Sequence, residues 1–216
     1  MQRIAVRRAA AVATWGPLVF TADWFVLSRV HRGYAPRTET ISSLSAHQAP
    51  QWGWMVGGQL VLAAAMVALA TLQAGALGRR GQLTAGLLVL SAAGTVQASA
   101  FRTVCNRSDS GWCAPLPRSA YPHSQWAHGI GTGVAFGALV AACLASVWSV
   151  RRDRARRPLL VAGCITLVVA VPHMLWFLAN AETSWHGWSE KVFLTALAGW
   201  VSYSGNWLSR DPRWGP

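Results

Sequence analysis

The chain has 216 residues, of which 53% are hydrophobic and only 12% are charged. A soluble domain usually carries about 25% charged residues, so this composition argues against an ordinary soluble protein. The net charge of +12 would suit a nucleic-acid-binding protein, but the basic residues stand in short runs between apolar blocks. That arrangement is typical of membrane topology, and we expect no nucleic-acid partner.

Six apolar segments are each long enough to cross a bilayer as a helix, which needs about 20 residues. In chain order they cover residues 11–30, 53–75, 82–101, 125–150, 158–179 and 187–208. The basic start of the chain leads directly into a full-length span, so we expect an uncleaved first helix. The sequence therefore predicts an all-α integral membrane protein, with residues 1–216 forming a single domain of six transmembrane helices.

Lysine and arginine residues predict the orientation of these helices. With six spans both termini share one side of the membrane, and that side carries twelve of the nineteen basic residues. Because basic residues favour the cytoplasmic side, we expect both termini in the cytoplasm of a multi-pass cell-membrane protein. The opposite side has two longer segments, 31–53 and 102–124, which we expect to fold over the helix ends.

Two further patterns concern packing and covalent links. Cys105 and Cys113 flank a loop on the predicted outer side, and their spacing permits a disulfide if that loop is extracytoplasmic. In the fourth span, Gly129, Gly133 and Gly137 share one stripe, which predicts close approach of a neighbouring helix along that stripe.

The outer half of every predicted helix carries one strongly polar side chain. At 1.5 Å per residue, three of these lie roughly 10 Å below the outer helix ends and three roughly 5 Å below. The six are Asp23, Gln59, Gln97, His128, His173 and Glu190. A carboxyl group at such a depth costs several kcal/mol unless it is neutral, paired or facing a cavity. The inner halves of the helices have few such side chains. This difference between the two halves predicts a polar pocket in the outer half of the bundle.

Aromatic residues gather at the same level as these polar groups. Interfacial anchoring is the ordinary role of a single tryptophan. On the fifth span, however, His173, Trp176 and Phe177 share one helix face. The residues that we expect to contact a substrate are Trp24, Gln59, Gln97, Trp126, Trp176, Phe177 and Trp188.

One chemistry that would use this set is acid-initiated cyclisation of an isoprenoid. A carboxylic acid held un-ionised in an apolar site can protonate an alkene, and the resulting carbocation needs π faces and no competing water. Asp23 is then the expected acid, oriented by His173 or Gln59, and His128 or Glu190 is the final base. No aspartate-rich diphosphate motif is visible, so we expect no metal and no organic cofactor.

Two other classes remain open. A zinc hydrolase within the membrane needs about three histidines and an aspartate, but the available histidines lack the usual HxxxH spacing. A proton-coupled transporter or a membrane assembly factor also uses intramembrane carboxyl and imidazole groups. No inverted repeat, which would support a transporter, is visible in the sequence.

Several local patterns resemble known membrane proteins. ISSLSAHQAP precedes the second span, WAHG opens the fourth and GWSEKVF opens the sixth. These resemble a bacterial six-span membrane family of unknown function. In size, span number, intramembrane acid and aromatic richness, the chain also resembles the small membrane-bound terpene cyclases of indole-terpenoid pathways, the drimentine type.

The cyclase resemblance implies an isomerase- or lyase-type enzyme of isoprenoid secondary metabolism. Its substrate would be a lipophilic prenylated small molecule, with a farnesyl chain on a tryptophan-containing diketopiperazine. We expect this substrate to enter the protein laterally from the membrane lipid. The resemblance carries the role of the membrane-embedded acid to Asp23 or to Glu190 and leaves open which of the two donates the proton.

Overall fold

A computed structural model describes residues 2–104, 122–180, 185–211 and 214 of the chain. Within these residues the secondary structure is helical, with no β-strand. The six long helices are α1 (Gln2–Val30), α2 (Trp52–Leu77), α3 (Arg79–Ala100), α4 (His123–Val150), α5 (Arg157–Ala179) and α6 (His186–Leu208). Two short 3-10 helices lie at Ile41–Ser45 and Arg154–Arg156.

The all-helical prediction is confirmed, and the predicted spans agree with the six helices to within a few residues except at the start of α1. That helix begins at Gln2 rather than residue 11, because the basic stretch before the apolar run is also composed of good helix formers. Helices α1 to α5 are long and apolar enough to cross a membrane. α6, with Glu190 and Lys191 in its first two turns, is not among them. The chain is a helical membrane protein.

The helices form a closed ring in sequence order, since each packs against the next and α6 packs against α1. α2 also contacts α6 across the middle of the ring. Gly78 is the single residue between α2 and α3, and its φ of 56° is a left-handed conformation that favours glycine. Met66, Leu69, Phe193 and Trp200 are among the side chains buried in the centre, where van der Waals packing holds membrane helices together.

Helices α3 and α4 approach most closely at Gly94 and Gly131. A Cβ atom on Gly94 would lie 2.7 Å from both Ala135 N and Gly131 O, and one on Gly131 would lie 2.8 Å from Ala98 N. Ser91 joins the same interface, because its hydroxyl donates to Ala135 O at 2.8 Å. This contact fixes the rotation of α4 and so decides which of its side chains face the interior.

The predicted contact stripe on α4 is therefore wrong. A Cβ atom on Gly129, Gly133 or Gly137 would meet nothing within 4 Å, and all three glycines are exposed. Four-residue spacing correctly identified a stripe of small residues, but a second stripe through Gly131 and Ala135 makes the contact. The sequence spacing alone does not distinguish the two.

Residues 31–51, which we call the strap, connect α1 to α2 and fold over one end of the bundle, as the sequence predicted. We call this end the outer end, and the opposite one the inner end, after the side of the membrane that the sequence predicts for each. The strap contains the 3-10 helix Ile41–Ser45, which Thr40 caps by accepting a hydrogen bond from Ser43 N. At its far end, His47 N donates to Thr103 O at 3.2 Å, and the His47 ring pairs with Arg102 at 2.9 Å. Partial burial and the Arg102 guanidinium lower the pKa of the His47 imidazole.

The inner end of the bundle is closed by a buried arginine. The Arg156 guanidinium donates to Asp153 Oδ2 at 2.9 Å, to Asp211 Oδ2 at 3.0 Å and to Ala76 O at 3.0 Å. Both Arg156 and Asp211 are buried. These contacts connect the end of α2, the α4–α5 linker and the segment that follows α6.

Candidate acid–base cavity

A small, partly enclosed cavity of about 50 Å³ lies in the outer half of the bundle. Polar side chains from the strap and from α2, α3, α4 and α6 line it, and they are Ser42, Gln59, Thr95, His128, Thr132 and Glu190. Apolar groups complete the wall, including the rings of Phe20 and Phe136. The structure thus brings together three of the six polar residues that the sequence singled out, Gln59, His128 and Glu190.

Glu190 lies in the second turn of α6 and is 1% exposed. Its Oε2 atom accepts a hydrogen bond from the Ile41 backbone N–H at 2.5 Å. Among the residues that the structure describes, none donates to the other carboxyl oxygen, Oε1. Glu190 is one of the residues that line the cavity, so its side chain stands at the cavity wall.

His128 lies near the outer end of α4 and is also buried. Its Nδ1 atom is 2.8 Å from Ala98 O and 3.0 Å from Phe101 O, and since both partners are carbonyl oxygens, Nδ1 must donate. This fixes the tautomer of the neutral ring, whose Nε2 atom is then a proton acceptor. Nε2 has no hydrogen-bond partner within the described part of the chain. The cavity therefore contains an acid and a base, each with one atom unused.

Gln59 contributes an amide group that a neighbouring serine holds in place. Its Oε1 atom is 2.9 Å from the Ser99 hydroxyl, and both side chains are buried. Ser99 is itself 2.8 Å from Thr95 O within α3. The pairing orders the Gln59 amide in the cavity wall.

Lys191 is the buried cation nearest in sequence to Glu190, but the two side chains form no salt bridge. The Lys191 ammonium donates instead to Glu39 O at 2.6 Å and to Gly187 O at 3.2 Å. It also lies 5.2 Å from the centre of the Tyr34 ring, in reach of a cation–π interaction. Lys191 thus bonds the strap to α6 and makes no direct ion pair with the Glu190 carboxyl group.

Asp23, the acid that the sequence favoured, does not line this cavity. Its carboxyl group packs against Gly58 at the α1–α2 contact, where a Cβ atom would collide with it. Oδ2 is buried and has no hydrogen-bond partner among the described residues. No hydrogen bond joins Asp23 to His173 or to Gln59 in the described part of the structure, so neither orients it as expected.

Two open grooves on the membrane-facing side hold most of the predicted aromatic contacts. One, of about 700 Å³, lies between α1, α5 and α6 and is lined by Trp24, Trp188 and the stem of Lys191. The other, of about 510 Å³, lies between α5 and α6 and is lined by His173, Trp176 and Trp188. Trp188 lines both grooves. His173 is therefore separated from the cavity that holds Glu190.

The remaining predicted residues lie outside all three spaces. Gln97 bonds α3 to α4, since its amide donates to Ala127 O at 3.0 Å. Phe177 stacks on His186 with ring centres 4.2 Å apart and also contacts Phe193 edge-on. Trp126 is 61% exposed. Cys105 and Cys113 lie outside the described residues.

Sequence reasoning missed the roles of Lys191, Thr95, Thr132 and Ser42. Lys191 had a visible signal, because it follows Glu190 directly and is the one lysine in the sequence. The threonines and Ser42 had none, since such residues are common in membrane helices and loops. Among the described residues, no group of three His, Cys, Asp or Glu side chains could hold a metal ion.

Fold and cavity together define a helical membrane protein with an interior site that contains one carboxylic acid and one imidazole. The chain belongs to the DUF998 family of proteins of unknown function, whose family model matches residues 11–205. No curated protein and no solved structure matches the chain. The expected membership of a family of unknown function is thereby confirmed, and the likeness to terpene cyclases stays a prediction.

Proposed function

We propose that the chain is a membrane-bound terpene cyclase that folds a prenylated, indole-bearing small molecule by acid-initiated cyclisation. It would cross the cell membrane six times, with both termini in the cytoplasm. The observation that carries the proposal is that Glu190 Oε1 and His128 Nε2, both without hydrogen-bond partners among the described residues, belong to side chains that line one small cavity. This favours Glu190 over Asp23 as the proton donor.

In the proposed reaction, the Glu190 carboxyl group gives its proton to a terminal alkene carbon of the substrate. The π electrons of the chain then form new C–C bonds, and the positive charge moves along the chain. Phe20 and Phe136 offer π faces that stabilise this charge. His128 Nε2 removes a proton from the carbon next to the final cation, whose C–H electrons become an alkene. Return of that proton to Glu190 restores the enzyme, and the product has the mass of the substrate.

The substrate would arrive from the membrane rather than from water. Binding pockets for organic ligands usually measure about 300–1,000 Å³, so the cavity of about 50 Å³ is too small for a farnesyl chain. The groove of about 700 Å³ between α1, α5 and α6 is large enough and apolar. The isoprenoid would lie there first, and the cavity would have to open before protonation.

The direct test is to incubate membranes that contain the chain with a farnesylated indole and to look for a product of equal mass. Glu190→Gln removes the proton donor but keeps an oxygen that can accept from Ile41 N, and we expect it to lower turnover by about 1,000-fold, within the usual range for general acids. Asp23→Asn, as the matched carboxyl control, should change turnover by less than about threefold. Loss of turnover in Asp23→Asn together with normal turnover in Glu190→Gln would reverse the assignment.

The cavity volume favours a second candidate, a proton relay. A cavity of about 50 Å³ can hold a few water molecules, each of which needs about 10–15 Å³. Waters between Glu190 and His128 would carry protons in a proton-coupled transporter. Proton flux in liposomes that depends on Glu190, without conversion of any isoprenoid, would support this candidate against the cyclase.

A further inference from the structure

The strap forms the outer roof of the cavity. Ile41 and Ser42 are the strap residues that line it, and Ile41 is 2% exposed. The Ile41 N–H that donates to Glu190 therefore belongs to the same segment that closes the cavity. Any displacement of this part of the strap would both open the cavity and remove the hydrogen bond from the carboxyl group.

Contacts with the first turns of α6 hold this roof in place. Lys191 Nζ donates to Glu39 O at 2.6 Å, and Trp188 N donates to Arg37 O at 3.1 Å. Gly187 packs directly against the Glu39 backbone, where a Cβ atom would collide with it. The α6 side chains Lys191 and Glu190 thus both bond to backbone atoms of the strap, and Lys191 supplies the cationic contact.

The fastened part of the strap is internally braced. The Tyr34 hydroxyl lies 3.1 Å from Glu39 O and 3.0 Å from Thr40 O, so it donates to the same stretch that Lys191 holds. Thr40 also caps the following 3-10 helix through Ser43 N. These local bonds keep the segment in one shape, so that it can move as a unit about its two ends.

We propose that the strap is the gate of the cavity and that Lys191 is the residue that fastens it. The inference depends on the proposed function in one respect, that the substrate reacts inside the cavity. With the strap in this position the space inside the cavity is about 50 Å³, which is enough for a few water molecules and too small for a farnesyl chain. Release of Glu39 O by Lys191 removes one of the contacts between the strap and α6 and so favours an open state, in which the space above Glu190 admits the reactive end of a lipophilic substrate.

The test measures access to a thiol introduced at the roof by Ser42→Cys in the full chain in membranes. N-ethylmaleimide is the probe, and mass spectrometry of the peptides reports each cysteine separately. Adding Lys191→Gln should accelerate modification at position 42 by about tenfold or more, because a lost hydrogen bond from a charged group shifts an opening equilibrium by at least that factor. The native Cys143, which is fully buried between α4 and α5, should keep its rate.

Two further variants make the result decisive. Gly187→Ala leaves every charge in place but pushes the Glu39 backbone away, so it should also accelerate modification at position 42. Arg102→Gln removes the cation at the far end of the strap and should not. Unchanged modification in both Lys191→Gln and Gly187→Ala would overturn the gate, as would an equal acceleration at Cys143. An acceleration in Arg102→Gln that equals the one in Lys191→Gln would overturn the role of Lys191.

The labelling result does not depend on turnover. Accelerated labelling in a protein that converts no isoprenoid would support the gate and defeat the proposed function. Unchanged labelling in a protein whose turnover depends on Glu190 would defeat the gate alone.

Discussion

The two ends of the bundle use buried charge in different ways. At the inner end, the Arg156 guanidinium is bonded to two carboxylates and a carbonyl oxygen. At the outer end, Glu190 and Lys191 are adjacent and buried, yet each bonds to the strap backbone and not to the other. A buried cation held by two carboxylates serves the fold, although Arg156 Nη1 has no hydrogen-bond partner among the described residues. A buried acid with one oxygen left on a cavity is available for chemistry.

The largest expected effect on stability lies at the inner end. Asp211→Ala leaves the buried Arg156 with only the half-exposed Asp153 as its carboxylate partner. Removing one partner of a buried ion pair costs about 3–5 kcal/mol, and we expect the free energy of unfolding in detergent to fall by about this amount. Activity below the unfolding range should be unchanged.

Glu190→Gln, measured in the same unfolding assay, is the outer-end counterpart. It keeps an acceptor for Ile41 N, so its stability should change by no more than about 1 kcal/mol. If Asp211→Ala and Glu190→Gln destabilise equally, the distinction between the two ends is wrong.

A substitution at His128 should have the next largest effect. In this side chain Nδ1 bonds to the backbone and Nε2 is the proposed base, so the two roles can be tested separately. In His128→Asn the new amide can still donate to Ala98 O and Phe101 O, as Nδ1 does, but nothing replaces Nε2. We expect turnover to fall about 100-fold, the lower range for loss of a general base. Stability should stay within about 1 kcal/mol of the native value. Normal turnover in this variant would remove His128 from the reaction.

Two glycines of α4 sharpen the comparison for packing. Gly131→Ala places a methyl group against the α3 backbone and should destabilise the chain by about 1–3 kcal/mol. Gly133→Ala, two residues further along on an open face, should change stability by less than about 0.5 kcal/mol. Denaturant unfolding of the two variants side by side checks this. A larger loss in Gly133→Ala would mean that the exposed stripe is covered by something in the membrane.

The smallest expected effect concerns the membrane-facing grooves. Trp176 lines the groove between α5 and α6, whereas Trp148 is exposed at the inner end of α4 beneath Arg151. Trp176→Ala should lower kcat/KM about fivefold, the effect of losing roughly 1 kcal/mol of aromatic contact. Trp148→Ala should leave kcat/KM unchanged. Equal effects would show that tryptophan anchors the helices and does not contact substrate.

Helix positions were predictable because apolar runs of this length have one common outcome in a membrane. The folding of the strap over the outer end was also predictable, since its length and composition suit a covering loop. Helix rotation was not predictable. The Gly94–Gly131 contact turns His128 inward, and the Gly58 contact takes Asp23 to the seam between α1 and α2, away from Glu190. Residues predicted at similar depths therefore lie in different places, with Glu190 and His128 at the cavity and Asp23 at the α1–α2 contact.

Lys191 has one more consequence, which follows from its being the one lysine in a chain with eighteen arginines. Reagents and proteases directed at lysine have this single side chain as their target, and it is 2% exposed under the strap. The rate of acylation at that position should therefore report how often the ammonium leaves Glu39 O, whereas cleavage there requires local unfolding of α6. The reactivity of this native residue therefore measures how often the strap opens, without any introduced label.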